Sequence, residues 1–428
     1  MKNKILALLI FVTLGFWNYG CNLNEPNPNS PTNEDIKTYD GIRMTAIGMQ
    51  ARLSQSIGDF NTVSGAASGE TSPIIAYVGY QSIRRYPDAS KRSELDKSNE
   101  YMVTVWSVQF QIVKSASDIL NSIGSIGMDA TLKKNITAFA EVGKVIALYN
   151  LITHWENIPI NINTQHPTFV NRDAVINECV NLLNDAEANL AGGIDQKEFI
   201  GKIIGTSWDL PSTVQAYKAR VYLMKGDYAN AISAASKVTA ESQYTYTDAI
   251  PNPLFVNYTS SLFSAALAGW VEGAEPGDNR IPATVDLNSK KGYFGSDSAY
   301  YIIKYNARTT PYKIYTLNEM ALIKAEASAR SGNAPAALIE VNNVRRAAGL
   351  GEYSGSEILK QIFIQRYYEC YLMAQHFEDL RRFKNDNIDI VNLQRNTQLA
   401  HEWLAYPYTE VDTNPNCPPQ PAGLNLGM

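Results

Sequence analysis

Two stretches of this chain place small residues where the helices of a hairpin must touch, and that restricts the fold more than any other feature. In AYKARVYLMKGDYANAISAASKV, Ala219 and Tyr222 precede a Gly226-Asp227-Tyr228 turn, and Ala231 follows it. In EMALIKAEASARSGNAPAALIEVNNVRRAAGL, Ala325, the Gly332-Asn333 turn, Ala337 and Val344 repeat the pattern. An alanine at the crossing point lets two helix axes approach closely, so each stretch reads as one helix-turn-helix unit, near 214–238 and 316–350. The units stand about a hundred residues apart, too far for neighbouring repeats of a tandem solenoid, and the intervening chain must project from between them. The alternative is two unrelated helical hairpins.

Their spacings are those of tetratricopeptide repeats. Apolar residues at three- and four-residue intervals predict further helices over 33–57, 101–123, 132–155 and 173–190. Ile136, Phe139, Ala140, Gly143, Ala147 and Leu151 form one stripe whose small members admit a close neighbour. The fold class expected is mainly α, a tetratricopeptide-like helical scaffold carrying long irregular loop insertions. One insertion is the Gly-, Ser- and Tyr-rich stretch from Gly58 to Ser98; the other runs from about Glu241 to Lys304, rich in Pro, Gly, Asn and aromatics, with strand-like pieces such as YYIIKY.

The 37 Lys and Arg against 42 Asp and Glu include no dense basic run, so nucleic acid is not an expected partner. His154, His166, His376 and His401 lie far apart, without HExxH or CxxC, and neither a metal nor a cofactor is expected. No GxSxG or phosphate-binding glycine loop occurs, so no catalytic residue is assigned. The 25 Tyr are the compositional feature that points outward, since a flat ring with a hydroxyl suits wet recognition surfaces.

At the N-terminus, Lys2 and Lys4 precede the apolar run Ile5 to Trp17, a signal-peptide pattern too short to span a bilayer comfortably. Gly20-Cys21 follows, which predicts a lipoprotein signal over 1–20 with the lipid on Cys21. The polar, Pro-rich stretch over 21–35 reads as a flexible tether, and 36–428 as a single domain. Cys179, Cys370 and Cys417 make no disulfide framework; the first two fit buried apolar positions.

Several blocks together resemble the RagB/SusD family, surface lipoproteins of Bacteroidetes that bind nutrients beside a TonB-dependent outer-membrane transporter. They are LNEPNPNSPT after Cys21, YNLITHWENIPI at 149–160, the first helical hairpin, and PYKIYTLNEMALIKAEASARSGN with Pro311, Thr316, Glu319 and Ala325-Glu326-Ala327. IFIQRYYECYLMAQHFEDLRRF, with Arg366, Glu369, Asp379, Leu380, Arg381 and Arg382, and WLAYPYTEVDTNPNCP at 403–418 complete the likeness. Asn157, Met373, His376 and Tyr408 depart from the family's pattern. The charged residues in these blocks read as structural: Arg366 with Glu369 and Asp379 with Arg382 can pair along a helix, and Glu319 and Glu326 can fasten neighbouring helices.

The resemblance implies a SusD-like, non-catalytic, lipid-anchored protein of the outer membrane, displayed at the cell surface. It would capture an oligosaccharide and pass it to a SusC-like TonB-dependent transporter. Alternatives are a peptide-binding member of the family, a helical-repeat adaptor for proteins, and a glycoside hydrolase using two carboxylates. If both insertions project from one face, Tyr77, Tyr80, Tyr86, Trp270, Tyr293 and Phe294 would form a stacking platform, with Gln81, Arg84, Asp278 and Arg280 bonding sugar hydroxyls. Tyr80 and Tyr293, flanked by small residues or glycine, suit exposed loops best; Trp270 and Phe294 equally fit a role pinning the insertions to the helices.

Overall fold

The computed structural model describes residues 35–73, 99–262, 264–293, 297–386, 388–390, 395–396 and 402–421. Its frame starts with six helices: α1 (Tyr39–Ser68), α2 (Glu100–Ser122), α3 (Ala130–Ile152), α4 (Arg172–Leu190), α5 (Leu210–Lys225) and α6 (Tyr228–Ser236). Two short helices, α7 (Ala268–Glu272) and α8 (Arg280–Thr284), lie in the second insertion. The frame resumes with α9 (Leu317–Arg330), α10 (Ala334–Ala347), α11 (Ile358–Glu369) and α12 (His376–Arg382), and the short α13 (Tyr408–Val411) follows. Side chains of Thr38, Asn99, Asp129, Asn171, Asp209, Asp227, Thr316 and Asn333 cap α1 to α6, α9 and α10, each accepting a first-turn N–H.

Each frame helix packs on the next, and α6 packs directly on α9. The two hairpins α5–α6 and α9–α10 are therefore neighbours in space, although sequence distance argued against a tandem stack. The second insertion leaves and returns at one point, where strands β4 (Gln243–Tyr244) and β8 (Tyr312–Lys313) pair antiparallel, Gln243 opposite Lys313. The small stripe of α3 does what its spacing predicts. A Cβ on Gly143 would lie 2.7 Å from the end of the Met49 side chain of α1, so a larger residue would require that side chain to shift.

The first insertion begins later than expected. Helix α1 continues eleven residues past Ile57, and its Gly and Ser residues there are buried rather than looped. A Cβ at Gly58 would meet Pro253 Cβ at 2.7 Å: the small residues let another segment cross the helix. Asn61 Nδ2 and Thr62 Oγ1 donate back to the carbonyls of Ile57 and Gly58, which lets polar side chains sit inside.

Buried ion pairs lock the frame. Glu326, fully buried on α9, takes a bidentate contact from Arg382 at 2.8 Å and a third bond from Arg330. Asp379 bridges Arg382 (2.8 Å) and Arg366 (2.9 Å). Burial alone would raise both carboxyls; the surrounding guanidiniums outweigh it and hold them below their ordinary values. Glu319 takes both its bonds, at 2.7 Å, from Arg220 of α5. Arg366 thus pairs with Asp379 rather than with Glu369, which accepts from Thr316 Oγ1 instead. Cys179 and Cys370 are free and buried.

The 403–418 block closes onto the 149–160 block. Trp155 Nε1 donates to the Ala405 carbonyl (2.8 Å), Asn157 N–H donates to Tyr406 Oη (3.1 Å), and Trp106 packs against Trp155, Phe169 and Tyr406. Among the described residues, no helix is long and apolar enough to cross a membrane.

Candidate ligand-binding face

The two insertions share one sheet. Strand β1 (Thr71–Pro73) opens the first; β5 (Ser264–Leu267), β6 (Lys291–Tyr293) and β7 (Asp297–Tyr300) belong to the second, and the order is β1-β5-β7-β6, all antiparallel. Thr71 lies opposite Ala266, and Ala266 opposite Tyr300. The described parts of both insertions thus meet in one sheet.

A third segment holds this junction from below. Between α11 and α12 the chain turns through Leu372 (φ 62°) and Ala374 (φ 56°), left-handed positions that a side chain disfavours. What fixes them is contact: Leu372 N–H donates to Glu70 Oε1 (3.2 Å), Tyr371 Oη to the Glu70 carbonyl (3.3 Å), and Lys304 Nζ to the Tyr371 carbonyl (2.9 Å). Burial lowers the Lys304 ammonium, while Glu369 and Glu70 pull it back up.

Three of the sequence-derived site residues point inward. Trp270 is buried, stacks on Tyr371 at 4.0 Å, and donates Nε1 to the Tyr367 carbonyl; Tyr368 Oη donates to the Trp270 carbonyl. It pins the insertion to α11, and its ring faces are occupied by protein. Asp278 and Arg280 pair with each other: Arg280 Nε and Nη2 reach the two Asp278 oxygens at 2.9 and 2.6 Å, Nη2 also donates to Gln365 Oε1, and the guanidinium lies over the Tyr368 ring. The pair anchors the loop and leaves Arg280 Nη1 buried without a hydrogen-bond partner. Tyr293 ends β6 opposite Asp297. Cys21, Tyr77, Tyr80, Gln81, Arg84, Tyr86 and Phe294 lie outside the described residues.

Sequence reading missed the polar groups that the sheet brings outward. Exposed Lys291 stands 5.5 Å from the Tyr301 ring centre, and Glu272 of α7 accepts from Lys290 and from Tyr300 Oη (2.9 Å). Their only trace in the sequence is the aromatic and basic run around 290–301, because strand pairing brings Lys291 and Tyr301 together. The face can stack and hydrogen-bond. Among the described residues no group of His, Cys, Asp and Glu could hold a metal ion.

Residues 291–417 match the SusD_RagB model, the SusD family. No curated protein matches. Among solved structures, a SusD-like protein from Bacteroides fragilis NCTC 9343 superposes with TM-score 0.70 at 13% identity, covering 92% of this chain and 98% of its own. B. fragilis NanU gives TM-score 0.69 at 14% identity over 94% and 100% of the two chains. A laminarin-binding SusD-like protein gives 0.68 at 16% over 90% and 99%.

Proposed function

We propose that this chain, which has the SusD-like fold and matches the SusD family over residues 291–417, is a non-catalytic binding protein for an oligosaccharide. One observation carries the reading: two insertions far apart in sequence are joined in a single sheet. Glu319, Glu326 and Asp379, buried in the frame, are neutralised by arginine, an arrangement that suits anchoring. Sugar recognition needs ring faces and hydroxyl partners on a pre-formed surface, which a sheet held from below supplies. Tyr77, Tyr80, Tyr86, Arg84, Tyr293 and Phe294 stay candidates for it, since all belong to segments continuous with its strands. The known laminarin-binding neighbour supports a glycan as cargo.

The finer parts of the proposal rest on the sequence. Cys21 carries the lipid, the protein sits on the outer membrane facing outward, and a SusC-like TonB-dependent transporter receives the cargo. A glycan array probed with protein lacking residues 1–21 tests the central claim. Binding to one glycan class that is lost in Tyr80→Ala is the expected result. Retention of peptides with no glycan bound would replace the cargo with the peptide reading. A Cys21→Ala protein that still takes up a fatty-acid label would overturn the anchor.

A further inference from the structure

Gln361, Gln365 and Tyr368 stand four and three residues apart on α11, on one face of the helix. That face lines a cavity of about 280 Å³, whose other wall is the chain from Gly273 to Asp278 between α7 and α8, with Leu350 and Ile364 completing it. The carboxylates around the cavity are already matched. Asp278 is held by Arg280, and Glu275 receives both terminal nitrogens of Arg345, at 2.7 and 2.8 Å.

The carboxamides are not matched. Gln361 is 8% exposed, and its buried Nε2 has no hydrogen-bond partner. Gln365 is 1% exposed; its Oε1 accepts from Arg280, and its amide nitrogen donates to no described residue. Native interiors rarely leave such groups unmade unless water or a ligand completes them. Two uncharged amide nitrogens suit a neutral partner with lone pairs to offer, and a hydroxyl oxygen accepts from such N–H groups. Ile364, Leu350 and Tyr368 add the apolar wall that the C–H face of a pyranose prefers. The volume lies just under the range of about 300–1,000 Å³ found for small-molecule pockets, room for one sugar ring rather than a chain.

We infer that this cavity binds a single neutral sugar unit, as a free monosaccharide or as the end of a chain, at a site separate from the sheet face. The chemistry, not the proposed cargo, selects the ligand, so the two readings fail separately.

Saturation-transfer NMR on the full chain in detergent micelles tests it, with D-glucose, D-galactose and N-acetyl-D-glucosamine as probes, their methyl glycosides alongside, and D-glucuronate as the charged control. At least one neutral sugar receives saturation and glucuronate does not. Gln361→Leu and Gln365→Leu each weaken binding about tenfold, the worth of one hydrogen bond. A methyl glycoside that binds as well as its parent sugar identifies a chain end as the ligand; one that fails identifies the free sugar. Gln361→Glu, nearly isosteric, must also weaken binding while leaving the melting temperature in place, which separates recognition from folding. No transfer from any neutral sugar, or transfer that both Leu variants leave unchanged, means the cavity holds water only. Binding on a glycan array is expected to survive both Leu variants.

Discussion

Glu326 and Glu272 are both paired carboxylates, yet they belong to different kinds of protein surface. Glu326 is fully buried in the frame and shared between two arginines; Glu272 is exposed on the insertion and faces Lys290 and Tyr300. Removing one partner of a buried pair strands a charge, whereas water readily replaces an exposed one. The frame therefore depends on its charges for stability, and the insertion is free to use its charges for recognition.

The hardest test of that contrast is Glu326→Ala, which takes from Arg382 and Arg330 the buried carboxylate they share and leaves them Asp379 and Asp386 alone. It should cost roughly 3–5 kcal/mol, read by urea unfolding. An unchanged midpoint would mean the buried network does not lock the frame. Trp270→Ala empties the floor under the sheet and should cost about 3 kcal/mol. If it instead weakens glycan binding with stability intact, the ring belongs to the recognition surface after all. Gly58→Ala forces a methyl onto Pro253 and should cost roughly 1–3 kcal/mol, unless the segment at Pro253 shifts away.

A subtler comparison lies within the frame. Glu141, on α3 against α4, has Asn189 as partner but no arginine; burial, with Asp185 adding to it, pushes the carboxyl up to about 7. The folded state then holds a proton that the unfolded chain releases, so stability falls as pH rises from the ordinary glutamate value to about 7, and is level above it. Glu141→Gln should flatten that decline and raise the melting temperature at pH 8. An unchanged pH profile would show that Glu141 is ionised throughout. The smallest effect belongs to Lys290→Ala, where thermal denaturation should show no change at all; a clear loss would place Lys290 in the frame.

The hairpins and long helices were legible because they rest on local signals: small residues at crossing points, polar caps, a 3.6-residue period. Arg366, Asp379, Arg382 and Glu326 were recognisable as structural residues, but Arg366 finds Asp379 across a turn that helix spacing does not reveal. The end of α1 was misread because glycine and serine mark a loop and a tight helix crossing equally well; Pro253, far along the chain, decides between them. Trp270, Asp278 and Arg280 have the chemistry of a sugar site, but α11 supplies Trp270 and Arg280 with partners from far along the chain, and Arg280 in turn holds Asp278. The two carboxamides of α11 went unnoticed, since glutamine on an amphipathic helix gives no sign of facing a cavity.

The pairing of Thr71 with Ala266 also sets an order of events. Strand β1 cannot find β5 until the chain has closed a loop of roughly two hundred residues, and closure over such a span becomes favourable only when the intervening helices have already packed. The junction of the insertions thus forms after the helices between them have packed. A chain whose frame is flawed would reach its destination without that junction, so the capacity to hold a ligand there reports on the completeness of everything folded before it.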